Sequence, residues 1–244
     1  MTLADLAHLA LAAAHGVLAF RAVPLLRTRT PIRPAIVIVW LIAVALVWDN
    51  LVLGLGNTLG AGDTLRLLSW PRFATHAVLT PMVVVASQQL AAAAGSTFAR
   101  RVAVRWTAVA ITAVLILQGF GLEIIGIHLE PVVDAGVLRY TDPDLMVPIG
   151  SIAAVVAAIW AGVVIRRQHG DSTLLVGSIV MFVASGAQPA VDGLLIGNPA
   201  EVVFVAVMFH ACRVLVPGHA TAPTAAAATA TAPASVPTAQ PQDV

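Results

Sequence analysis

Long apolar stretches separated by short polar ones dominate the chain, at positions 3–22, 35–55, 70–93, 106–127, 145–165, 173–190 and 199–216. A helix needs about 20 such residues to cross the roughly 30 Å hydrocarbon core of a bilayer. Strands of a membrane barrel would instead alternate at every second position over about 10 residues. The pattern predicts an all-α polytopic membrane protein, with seven transmembrane helices in one domain, 1–216. No basic residue precedes the first stretch, so it lacks the charged start of a signal peptide and is expected to remain as a helix.

The charges between the stretches agree with that count. Arg21, Arg27, Arg29 and Arg33 follow the first stretch, Arg100, Arg101 and Arg105 the third, Arg166 and Arg167 the fifth, and Arg213 closes the last. Arg66, Arg72 and Arg139 fall on the other side, where Asp63, Glu130, Asp134, Asp142 and Asp144 also lie. Basic loops stay in the cytoplasm. The expectation is an N-terminus outside and a C-terminus in the cytoplasm, in the plasma (inner) membrane. Residues 217–244, an Ala/Thr/Pro-rich run, are too poor in large apolar side chains to offset ordering entropy and are expected to form a disordered cytoplasmic tail.

Local punctuation adds detail. Asp142-Pro143-Asp144 has the order of an N-cap, a first-turn proline and a dipole-compensating acid, and is expected to open the fifth helix. Asn198-Pro199-Ala200-Glu201 reads as a capping box opening the seventh. Pro71 marks the start of the third helix, and Pro81 predicts a kink inside it.

Composition narrows the class. The chain is 59% apolar and 10% charged, against about 25% charged in soluble domains, so a soluble enzyme and a nucleic-acid binder are excluded. Cys212 stands alone, which excludes an intrachain disulfide and a cysteine metal site. All 13 basic residues are arginine, which with the alanine excess suggests a GC-rich, actinobacterial type of genome.

An ionisable group at mid-membrane costs about 2.5–3.5 kcal/mol on insertion scales, so each one is a candidate for function. Trp48, Asp49 and Asn50 lie in the outer half of the second helix, and Arg72 and His76 one turn apart in the third. Gln118 and Glu123 end the fourth, Gln188 and Asp192 the sixth, and Glu201 begins the seventh. Five helices thus bring polar groups to one leaflet, which predicts a polar pocket walled by apolar helices. Plain alternatives stand beside this reading. Asp49 and Arg72 can form a structural pair, Arg72 can snorkel, Asp192 can be turn chemistry and Glu201 a cap.

Asp49, His76 and Glu123 are the candidate catalytic groups, as acids and bases in a site without water. Trp48, Asn50, Arg72, Gln118, Asp192 and Glu201 are the candidate substrate-binding groups. A substrate reaching such a pocket from the bilayer is a lipid or an isoprenoid. Protonating an alkene or epoxide there requires aromatic faces to stabilise the cation, and Trp48, Trp70, Phe73 and Phe120 lie at about that level. His15 and His210 fall at comparable depths, which permits axial haem ligation or, more simply, hydrogen bonding in the core. His8 is a further core histidine. Zinc, Walker and serine-hydrolase motifs are absent, so no metal and no cofactor are expected.

Seven helices, an acid behind an aromatic in the second (Trp48-Asp49) and another acid at the seventh (Glu201) give a layout that resembles the integral-membrane terpene cyclases of meroterpenoid pathways. The resemblance implies proton-initiated cyclisation of a polyene or epoxide without metal, with Asp49 as proton donor. It covers the membrane part of the chain. Arg72 and His76 have no counterpart in that layout, and Glu201 also fits a cap. The rival class is a transporter or channel, with Pro81 and the Gly54/Gly56 pair as helix breaks, although the inner halves offer only His15, Gln88, Gln89 and His210 to continue a path.

Overall fold

Each apolar stretch contains a helix. A computed structural model describes residues 1–143, 149–187 and 193–216, apart from the side chains at 122, 123 and 193–196. The elements are α1 (Leu3–Leu26), α2 (Arg33–Leu59), α3 (Asp63–Ala93), α4 (Val102–Gly119), β1 (Glu130–Asp134), β2 (Val137–Thr141), α5 (Ile149–His169), α6 (Thr173–Ala187) and α7 (Gly193–Leu215). Six of the helices contain a window long and apolar enough to cross a membrane, and α6 is apolar over its 15 described residues. The fold is all-α in its main architecture, with helices of the length and apolarity that suggest a multi-pass membrane protein. The expected tail, 217–244, lies outside the described residues.

Helices α1, α2, α3, α5, α6 and α7 pack in that order as a ring that closes where α7 meets α1. Helix α4 lies outside the ring against α3 and α5, and most of it is uncovered. Large apolar side chains stand exposed around the bundle, among them Phe20, Leu117 and Val183, the arrangement expected where lipid rather than water is the solvent. The main core joins Ile36, Leu90, Ile165, Leu174, Met208 and Phe209 in the half of the bundle that carries the arginine-rich loops, here called the arginine end.

The opposite end departs from the expected plain loop. Residues 130–141 form an antiparallel hairpin, with Glu130 opposite Thr141 and Asp134 opposite Val137. Its two-residue turn, Ala135-Gly136, has φ of 51° and 79°. Positive φ at both positions suits the right-handed twist of a hairpin, and glycine tolerates it best. Leu129 and Tyr140 pack with Val52, Leu65 and Ile127 as a second, smaller core over α2 and α3. The strands are five residues each and present only Val137 and Tyr140 as buried positions in β2, too short a pattern to separate from loop.

Two helix starts also differ from expectation. The Asp142 carboxylate accepts from the His128 main-chain N–H (2.9 Å) across the base of the hairpin, and the stretch that links it to α5, with Asp144, lies outside the described residues. Helix α7 begins at Gly193, so Pro199 lies inside it and Glu201 is not a capping-box acid. Helix α3 begins at Asp63, and it continues through both Pro71 and Pro81.

Small residues set the spacing. Far from breaking α2, Gly54 and Gly56 admit close neighbours. A Cβ on Gly54 would meet Leu9 and the Asp5 carbonyl at 2.8–2.9 Å, and one on Gly56 would run into the Leu138 carbonyl. Gly56→Ala must therefore push β2 off α2. The expected cost is about 1–3 kcal/mol, read as a lower unfolding temperature in detergent. Gly186→Ala, where nothing among the described residues lies within 4 Å of the new Cβ, should stay near wild type.

Candidate functional site

The longer α3 changes the setting of Arg72. Nine residues from the helix start, it sits about 13 Å along the axis rather than at an interfacial end. Its Nε donates to Asp49 Oδ1 at 2.6 Å, joining α3 to α2. The two side chains are only 11% and 21% exposed, and Nη1 of Arg72 is buried without a hydrogen-bond partner. The guanidinium also stands 5.9 Å above the Phe73 ring. The pair weighed as a structural alternative thus exists, and one of its donors is still open.

Glu201 joins this pair from α7. It lies within electrostatic reach of Asp49, Arg72 and His76, and its Oε2 is buried with no hydrogen-bond partner. Because α7 starts eight residues earlier, the carboxyl stands about 12 Å into the helix, where no free amides of a helix start can satisfy it. His15 completes the inner wall. It is fully buried, its Nδ1 bonds to the Leu11 carbonyl at 3.0 Å, and its Nε2 has no hydrogen-bond partner. The ring lies near the Glu201 main chain and within reach of the Asp49 charge.

His76 lies on the outer side of the cluster. It is exposed on the flank of α3, and its Nε2 pairs with Ser151 Oγ of α5 at 3.3 Å. The polar groups therefore run from the buried interior at His15 and Glu201, past Asp49 and Arg72, to the lateral surface at His76. Gln118 is half-buried on α4 next to Gly119, which packs on Ala77. Trp48 is 39% exposed, and its indole N–H donates to the Leu68 carbonyl at 3.1 Å. Trp70 and Phe73 pack against the hairpin core. The Glu123 side chain, Gln188 and Asp192 lie outside the described residues.

Asn50, the neighbour of Asp49, turns to another task. It is fully buried, and its Oδ1 accepts from Asn198 Nδ2 (3.1 Å) and pairs with His8 Nδ1 (3.1 Å), while its own amide donates to the Leu46 carbonyl. One side chain thereby ties α2 to α1 and α7. Nearby, Asn57 Nδ2 reaches Asp5 Oδ1 and the Gly136 carbonyl, both at 2.8 Å, and fastens the hairpin turn to the start of α1. Thr2 and Asp5 cap that helix reciprocally. His15, Ser151 and the Asn50–Asn198 contact were not legible as parts of one site, because which helices are neighbours is not written in any single segment.

The matched depths of His15 and His210 do not bring those histidines together. His15 is level with Glu201, whereas His210 lies nine residues, about 13 Å, further along α7. There its Nε2 pairs with Asp171 Oδ2 at 2.6 Å in the α5–α6 loop. Burial opposes ionisation of Asp171, but bonds from Thr173 and the His210 contact outweigh it and hold the carboxyl below its usual pKa. Among the described residues, no group of three or more His, Cys, Asp or Glu is placed to hold a metal ion.

No protein-family model matches the chain, and neither does any curated protein or solved structure at a significant level. Polar geometry is therefore the basis for a functional reading.

Two stability measurements follow from these contacts. In a double-mutant cycle, Arg72→Met should destabilise more than Arg72→Met/Asp49→Asn, because the single change strands a carboxylate among apolar helices. The coupling should exceed about 0.5 kcal/mol by thermal unfolding in detergent. Asp171, with its folded pKa lowered, stabilises the fold above the ordinary carboxylate pKa, and this contribution is lost as pH falls through the folded value. Asp171→Asn should cost about 1 kcal/mol at pH 7 and flatten the acid limb of an unfolding-temperature profile taken between about pH 3 and pH 7.

Proposed function

We propose that the protein is a membrane-embedded enzyme that acts on an isoprenoid or another lipid by acid–base chemistry. The observation that carries this reading is the buried Oε2 of Glu201, without a partner, beside the Asp49–Arg72 ion pair. A purely structural cluster would close its hydrogen bonds. This one leaves a carboxyl oxygen, a guanidinium N–H and an imidazole nitrogen open in one region. Exposure of His76 on the flank of the bundle supports entry from the bilayer rather than from water.

On this reading Arg72 orients Asp49, and the open side of Arg72 binds the polar end of the substrate. Glu201 and Asp49 exchange a proton with the reacting carbon or oxygen, and His76 relays it at the lateral opening. A cyclase of the terpene type is the specific form we favour. A carboxylic acid protonates an alkene or epoxide, a carbon–carbon bond closes, and the final cation returns a proton to the carboxylate. The net change is an isomerisation. Phe73, held against Arg72, is the aromatic face nearest that path. The loop arginines support a C-terminus in the cytoplasm of a plasma-membrane protein and, with it, a site in the outer leaflet.

Mass spectrometry of small molecules co-purifying with wild type, Asp49→Asn and Glu201→Gln tests the proposal. A specific lipid or isoprenoid should accompany all three, and a transformed product only the wild type. Loss of turnover should reach about 100-fold or more in each variant, with detergent-purified yield near normal. Bulk phospholipid alone in every sample would overturn the enzyme reading in favour of transport.

A further inference from the structure

The arginine end holds a second candidate site, remote from the first. A cavity of about 590 Å³ opens between the α1–α2 loop, the end of α3 and the start of α4, lined by Thr30, Ile32, Gln88, Gln89, Arg100 and Arg105 among others. That volume falls in the usual range for small-molecule sites. Pro34, on its wall, lies 15 residues from Asp49 along α2, about 22 Å away.

The lining is rich in open donors. Arg100 uses Nε on the Ala92 carbonyl (2.9 Å), and its two terminal nitrogens make no hydrogen bond among the described residues. Arg105 is exposed and makes none with its guanidinium. Gln89 accepts from the Ala35 N–H through Oε1 (3.0 Å), which leaves its Nε2 donor open. Gln88 is held by its bond to the Ala99 carbonyl (2.7 Å). No acidic residue occurs between Asp5 and Asp49 or between Asp63 and Glu123, so neither flanking loop supplies a counter-charge. Asp171, the acid of the α5–α6 loop, is already bonded to His210 and Thr173.

One helix start adds to the field. Helix α4 begins beside the cavity with no side-chain cap on its first amides, whereas those of α2 are taken, Arg33 by the Thr30 carbonyl and Ala35 by Gln89. The positive end of the α4 dipole favours a bound anion there. Guanidinium forks suit phosphate oxygens in particular. The cavity also stands where the apolar spans end, the level at which lipid headgroups are expected.

We propose that this cavity binds a phosphate ester, gripped by Arg100 and Arg105 with Gln89 as an additional donor. The phosphate belongs either to an anionic lipid headgroup or to a soluble phosphate compound.

Native mass spectrometry of the full-length protein, titrated with phosphatidylglycerol and separately with phosphatidylcholine, tests the lipid source. Thermal unfolding with glycerol 3-phosphate or inorganic phosphate tests the soluble source. Wild type should prefer phosphatidylglycerol, or gain unfolding temperature from the soluble phosphates. Arg100→Gln/Arg105→Gln should weaken that binding about 25-fold, at about fivefold per arginine near a membrane surface. Arg105→Gln alone, at an exposed side chain free of internal bonds, should weaken it about fivefold and decides the matter if the double variant fails to fold. Arg166→Gln/Arg167→Gln removes two exposed charges from the same end, where Gly95 packs near Gln168, and should bind as wild type. No preference for the anionic lipid together with no response to phosphate would overturn the proposal. So would equal losses in the cavity variants and in the Arg166/Arg167 control.

Discussion

Inside a bilayer no water is available to complete a hydrogen bond, so a polar side chain has to find its partner within the bundle. Most of this chain obeys that constraint locally. Ser69 and Thr75 donate to carbonyls one turn back, Thr28 to Leu25, and Trp40 reaches across to the Ala19 carbonyl. Thr112 of α4 donates to the Pro81 carbonyl of α3, a bond between helices. Asn50 meets the demand for three helices at once. Against this background the open atoms of Arg72, Glu201 and His15 stand out, because they lie near one another and on three different helices. Ser87, Ser178 and Arg139 each keep a buried polar atom open as well, but Arg72, Glu201 and His15 bring three ionisable groups to one place, which is the composition of a site.

Position depends on packing as well as pairing. Apolar contacts between helices carry little hydrophobic driving force when lipid is the alternative, so close approach through small residues has to hold the bundle. A Cβ on Gly162 would meet the Leu175 backbone at 2.6 Å, and one on Gly177 the Val207 side chain at the same distance. Those contacts fix α5 to α6 and α6 to α7, and hence the place of Glu201 opposite Asp49. At the other end of α2, Gly56 admits the hairpin, whose turn Asn57 ties to Asp5. The site thus lies between the apolar core of the arginine end and a pinned hairpin, with lateral exposure at His76.

Much of this was legible from residue order. Apolar length marks every helix, and depth counted along the helices places Asp49, Arg72, His76 and Glu201 at one level. The errors have a common physical source. Residues 63–69 are mixed for a span, and Asn198-Pro199-Ala200-Glu201 has the order of a helix start, so residue order starts α3 and α7 too late, whereas the backbone stays helical through both. That offset turned Glu201 into a supposed cap and Arg72 into a supposed interfacial residue. The hairpin escaped notice because its turn, Asp134-Ala135-Gly136, lacks a glycine directly after the aspartate and its strands are short. Neighbour relations, such as α1 beside α7, depend on ring closure and cannot be read from any one segment. For that reason residue order pairs His15 with His210, whereas the fold sets it beside Glu201.

The charge balance of the cluster gives the proposed chemistry its last support. Arg72 supplies one fixed positive charge, and it faces Asp49 directly. Glu201 is a second carboxyl in the same low-dielectric region, with no second arginine to face it. Two ionised carboxylates beside one guanidinium would leave an unbalanced charge in the membrane, at considerable cost. Neutrality therefore asks for one proton in the cluster. A proton held by charge balance rather than by a dedicated hydrogen bond can be handed to a substrate and recovered from its product. That property separates a proton-transfer site from a structural ion pair, which has no proton to give.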